Sequence, residues 1–191
     1  MAGMAMALAT SMAAMSAGAA ELLTNGSFET GDFAGWSWTG NTGETFVRCG
    51  GGAEAGSCYV LEGPVGFDGI LSQTFTDNPG DTLTISGWIQ GVGASFSDVS
   101  FYLNGALLFD TGNPVPGGDW TNHTVTATAT GTDTFSVHFR NDPDFDSLDN
   151  FSVVASPGVP EPASWALMIG GFFGLGATLR ASRRRTAAAA A

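Results

Sequence analysis

Two cysteines, two histidines, six arginines, no lysine and 18 acidic residues are the reactive inventory of this 191-residue chain. Cys49 and Cys58 enclose the flexible segment GGGAEAGS. With no histidine nearby and a wide spacing, the pair reads as a small-loop disulfide of an exported protein rather than a metal site. Asp142, Asp144 and Asp146 alternate within NDPDFDSLDN as in a calcium loop. Ser147 then stands where an EF-hand needs glycine, and no glutamate follows at the closing position. The segment is therefore expected to be a solvated acidic loop before the last strand. Catalytic signatures are missing: there is no Gly-x-Ser-x-Gly elbow, no His-Glu-x-x-His and no phosphate-cradling loop. Counting acids alone leaves a glycosidase carboxylate pair open. A small domain without a long cleft-forming loop nevertheless predicts a binding protein, not an enzyme.

Aromatic residues on polar strand faces are the stronger binding signal. In TLTISGWI, Trp88 falls opposite Leu83, Ile85 and Ile89; in VSFYL, Tyr102 falls opposite Val99, Phe101 and Leu103. His138 and Arg140 point outward on TFSVHFR, whereas His123 alternates with Val125 and Ala127 on a buried face. Trp88 and Tyr102 would form a ligand platform with His138 and Arg140 if their strands share a sheet. Otherwise they lie under a loop or against the second sheet. Trp36 is expected in the core, and Trp120 in either setting.

The elements that must hold these residues are strands. Between Glu21 and Ser156 no helical period appears, only short alternating runs broken by Gly, Asn, Asp and Pro. The clearest runs are 82–89, 99–103 with ALLF after the Asn104-Gly105 turn, 121–129, 134–140 and 151–154. Others fall near Trp36, Phe46, Tyr59 and 70–75. About eight or nine strands predict an all-β, jelly-roll-like antiparallel sandwich. All but Glu161 of the 18 acids lie in this domain, with only Arg48 and Arg140 to offset them, a net charge near −15. So acidic a surface excludes nucleic acid and anionic lipid as partners.

The termini carry addresses. Residues 1–20, apolar and ending in small residues, read as a secretory signal that lacks its positive start, with Met1, Met4, Met6 and Met12 as alternative starts. A retained Ala/Met-rich helix is the other reading. At the far end, residues 157–185 hold Pro160, Glu161 and Pro162. A 17-residue uncharged stretch, 163–179, follows, then Arg180, Arg183, Arg184 and Arg185, with an alanine tail at 186–191. The stretch is at the short limit for a transmembrane helix, its arginines holding one end at the cytoplasmic face. This cassette resembles the PEP-CTERM sorting signal. The resemblance implies Sec export, an inner-membrane-anchored intermediate and an exosortase-type processing enzyme, with the cell surface or extracellular matrix as destination. A plain membrane anchor is the alternative.

A second resemblance covers residues 21–156. ELLTNGSFETGDFAGW at its start and FDSLDNFSVV at its end resemble galactose-binding-like jelly rolls of the carbohydrate-binding-module type. It implies association with exopolysaccharide. It also implies a structural calcium where the first and last strands meet, with Glu29 and Asp149 as ligands and carbonyls near Asn25 and Gly31 completing the shell. A purely structural envelope or biofilm protein, and a small glycan hydrolase, are the competing readings.

Overall fold

The structure, a computed structural model, describes residues 19–93, 96–158, 169–174, 176 and 180. Residues 1–18 of the expected signal segment, Pro160, Glu161, Pro162, Arg183, Arg184, Arg185 and much of 163–179 lie outside the described residues. One compact unit runs through Ser156 and a second takes in the rest. In the second, residues 169–174 are helical. Among the described residues, no helix is long and apolar enough to cross a membrane.

Eleven strands are described in the first unit. They are β1 (Ala20–Glu21), β2 (Ser37–Gly40), β3 (Thr45–Cys49), β4 (Cys58–Glu62), β5 (Gly69–Thr76), β6 (Thr82–Gln90), β7 (Phe96–Leu103), β8 (Ala106–Asp110), β9 (Thr121–Thr128), β10 (Thr132–Asp142) and β11 (Asp146–Ser156). They form two antiparallel sheets: β3-β4-β11-β6-β9, with β1 added along β11, and β2-β5-β10-β7-β8. Every strand run read from the alternation is present. Eleven strands exceed the eight or nine expected, and the two-residue β1 is among the excess because a pairing that short leaves no periodic trace.

The alternation sorts side chains as expected. Leu83, Ile85, Val99, Phe101, Phe135, Val137 and Phe139 are fully buried between the sheets, each contributing roughly 1.5–3 kcal/mol of apolar transfer. Asn104 and Gly105 both adopt positive φ (51° and 78°), the backbone a tight β7-β8 hairpin requires. The inward row of β6 is interrupted by Gly87, where a Cβ would collide with Phe151. That gap admits Phe151 into a ring cluster with Phe101 and Phe135, at centroid distances of 5.7–6.0 Å. Trp36 joins it at 6.4 Å from Phe135, in the core as expected.

One expectation fails. The acidic stretch before the last strand is not a solvated loop throughout, since β11 starts at Asp146, and Asp146 and Asp149 are fully buried. Neighbouring strands and loops cover them, and carboxylate polarity alone could not reveal that cover.

Candidate functional site

In the five-stranded sheet the outward-facing residues come from β5, β10, β7 and β8. Ser136 on the central β10 pairs with Ser72 on one side and Tyr102 on the other. His138 pairs with Ile70 and Ser100, and Arg140 with Asp98. Tyr102 and His138 are therefore diagonal neighbours on one face, a spacing that long rings can close. Their rings lie 4.3 Å apart, tilted by 36°. Leu107, opposite Tyr102 on β8, is exposed and extends the row to the sheet edge.

Burial lowers the His138 imidazole from its ordinary value, with the Asp68 charge opposing, which favours the uncharged ring. It presents a π face, not a cation. Arg140 donates from Nη2 to the Asp142 carboxylate at 3.1 Å, while its buried Nε has no partner. Across the strand boundary, burial raises the Asp98 carboxyl, the charges of Asp68 and Asp110 add to this, and Arg140 opposes it. The face thus combines two tilted rings in contact, the half-buried hydroxyls of Ser72 and Ser136 above a buried Ser100, and one cation flanked by carboxylates. Flat rings can lie against the apolar face of a pyranose, and hydroxyl, carboxylate and guanidinium groups can fix its hydroxyls.

Trp88 is elsewhere. It is half-buried on the outward face of the other sheet, opposite Asp149 on β11 and Asn122 on β9. The one-sheet condition for a joint Trp88 and Tyr102 platform is not met. Alternation predicts which way a side chain points but not which sheet its strand joins.

Above the Trp88 side lies the loop closed by the disulfide, which is formed between Cys49 and Cys58 as expected. Asp149 Oδ2 accepts the amides of Glu54 and Ala55 at 2.9 and 3.3 Å, and Oδ1 accepts that of Asn150 at 2.7 Å. Glu29 Oε1 accepts the amides of Ser57 and Cys58, both at 2.8 Å. Asn150 Nδ2 donates to Glu54 Oε2, and Trp120 Nε1 to the Gly52 carbonyl. Trp120 also meets Tyr59 edge-on at 6.1 Å. Glu29 and Asp149, read as calcium ligands, thus each hold backbone amides of one loop.

Their protonation reflects the setting. The Cys58 and Ser57 amides lower the Glu29 carboxyl. Burial lifts Asp149 to about 6, against its three amide bonds and with the Glu54 charge assisting. Among the described residues no three His, Cys, Asp or Glu side chains converge as a metal-binding group.

A third feature lies where β8 and β9 approach. His123 stacks on Phe109 at 4.4 Å and 29°, beside a pocket of about 230 Å³ lined also by Ile89, Asp110, Val115 and Thr121. His123 is half-buried, matching its place in the alternation, and burial lowers its imidazole.

Asp98, Ser100 and the serine row escaped the sequence reading although a signal existed. Asp98, Ser100 and Tyr102 alternate on one strand face, but the recognised run began only at Val99.

No protein-family model matches the chain, and no curated protein matches it. Solved structures do. A carbohydrate-binding module of family 61, TmCBM61, in complex with β-1,4-galactotriose, is similar at a TM-score of 0.60 and 20% identity, over 70% of this chain and 97% of that one. The chain shares the β-sandwich fold of this module. The tandem CBM22 domain of Xyn10C from Paenibacillus barcinonensis is similar at 0.53 and 21%, over 80% of this chain and 50% of that one. The same sandwich serves other chemistry. The cyclase Fisc from Fischerella is similar at 0.54 and 18% identity, over 74% of this chain and all of that one. At these identities the likeness establishes the fold and not the ligand.

Proposed function

We propose that the open face of the five-stranded sheet binds a carbohydrate chain without catalysing its turnover. The Tyr102–His138 stack, set among serine hydroxyls on a sheet face, is the observation that supports this. Tyr102 is the stacking surface, His138 extends it as a neutral ring, and Arg140 and Asp98 fix hydroxyls at one end. The glycan complex of the family 61 module agrees with the reading by analogy of fold.

The protein's destination follows from its terminal segments. Residues 1–20 direct Sec export, and the Pro160-Glu161-Pro162 cassette directs an inner-membrane intermediate to an exosortase-type enzyme. The natural ligand is then the host's own exopolysaccharide at the cell surface or in the matrix. A pull-down with that polysaccharide, supported by a glycan array, tests the binding reading. The wild type should be retained and Tyr102→Ala lost, whereas binding to no glycan would leave a structural envelope protein and glycan turnover an enzyme. Mass spectrometry of the mature C-terminus tests the sorting reading, which requires loss of the residues beyond the Pro-Glu-Pro region.

A further inference from the structure

Buried polar groups lie at both ends of the interior, but at the β10 start Asp133 is met by Thr130 and Asn104, whereas the other end lacks such partners. Thr45, Glu62 and Asp146 form one register row across β3, β4 and β11, and their exposures are 5%, 0% and 0%. Directly opposed residues in such a row project side by side from one sheet face. On the other sheet Ser97 of β7 pairs with Asn141 of β10, both with 0% exposure. Ser97 and Asn141 interact with the Asp146 carboxylate, so the two polar groups face each other across the sandwich.

Partners do not account for these charges. Both Glu62 oxygens and Asp146 Oδ2 are buried without a hydrogen-bond partner. Asp146 Oδ1 alone accepts a backbone amide, from Val92 at 2.8 Å. Besides Asp146, the charges nearest Glu62 are those of Asp98 and Asp68, also negative. Arg140, the nearby cation on β10, is bonded to Asp142 instead. Two buried carboxylates without a counter-charge are costly, and proteins neutralise such groups by protonation, by pairing or by coordinating a metal.

We propose that this end of the sandwich is a divalent-cation site, with Glu62 and Asp146 as the charged ligands of a calcium-class ion. The donors are all hard oxygens: the Glu62 carboxylate, Asp146 Oδ2, and the side-chain oxygens of Thr45, Ser97 and Asn141, the last two of which also accept the Val115 and Asp144 amides. Such a set suits calcium, which takes six to eight oxygens in flexible geometry, over zinc, which prefers nitrogen and sulfur. It suits magnesium less, because magnesium keeps several waters that a sealed interior does not admit. With only two carboxylates it falls outside the three-acid clusters lacking among the described residues. It is also distinct from Glu29 and Asp149, whose oxygens hold the disulfide loop.

The test compares the melting temperatures of the full chain, Glu62→Gln and Glu29→Gln in chelator and in calcium chloride. At calcium about 100-fold above its dissociation constant, the wild type should melt about 8 °C higher than in chelator. Glu62→Gln should lose that rise, and Glu29→Gln should keep it. The ranking should also invert: Glu62→Gln melts above the wild type in chelator, where it removes an unpaired charge, and below it in calcium. A merely buried, protonated glutamate would give no inversion. An unchanged wild-type melting temperature, or a calcium response that survives Glu62→Gln or disappears in Glu29→Gln, overturns the proposal.

Discussion

Trp88 and Tyr102 occupy equivalent outward positions on β6 and β7, yet one sits beside a covered surface and the other on an open one. The covered sheet carries the Gly50–Ser57 loop, tied by the disulfide and by the Glu29 and Asp149 carboxylates. The open sheet carries rings, hydroxyls and an ion pair, and at its edge the Asp110 carboxylate accepts the Gly112 amide. Equivalent alternation thus yields two faces with different work. Where backbone amides need acceptors, carboxylates become anchors, and where none approach, polar groups stay available to a ligand.

The sharpest way to break the contrast is to release the loop. Asp149→Ala strands the amides of Glu54, Ala55 and Asn150, and should cost about 2–3 kcal/mol in urea unfolding. A loss below about 0.5 kcal/mol would show that the loop does not depend on this anchor. Reducing the Cys49–Cys58 bond should cost about 2.5 kcal/mol, the chain-entropy value for so short a loop, and leave glycan binding unchanged. Reduced protein that no longer binds would join the two faces into one site.

A pH series sharpens the comparison next. The Asp149 carboxyl stands at about 6 in the folded chain, against about 3.9 when unfolded. On acidification the folded state takes up this proton first, so stability grows as pH falls through 6 and the gain is complete near 4. It is lost again as pH rises through 6. Relative to Asp149→Asn, the wild type should gain about 2 kcal/mol between pH 7.5 and 4.5 in paired urea titrations. The difference between the two proteins is the quantity to read, because His123 and His138, both lowered by burial, drive stability the other way. Parallel curves would refute the raised carboxyl.

The smallest effect is the most specific to function. Tyr102→Ala should weaken glycan binding at least tenfold, about 1.4 kcal/mol, without changing the melting temperature beyond 2 °C. Trp88→Ala should alter affinity less than twofold in the same affinity electrophoresis. The reverse ranking would move the site to the covered sheet.

Much of this was legible in the chain. Alternation identified the buried rows 83/85/89, 99/101/103 and 135/137/139, Asn104-Gly105 marked its hairpin, and two lone cysteines flanking a short flexible loop marked the disulfide. Outward directions for Trp88, Tyr102, His138 and Arg140 were legible for the same reason, because side-chain direction on a strand is a local property with period two. Glu62 was available to that rule and was missed: it continues the inward row of Val60, and a charged residue in such a row is a signal in itself.

What the sequence determined by itself was the strand set, the inside-outside sense of each strand and one covalent link, since these depend on neighbours along the chain. Only the tertiary structure decided that β6 and β7 lie in different sheets, so that Tyr102 meets His138 and not Trp88. It alone also buried Asp146 and Asp149 and set Glu62 beside Asp146. Those outcomes depend on which distant strands pair and which loop folds over them, a choice made by the packing of the whole core.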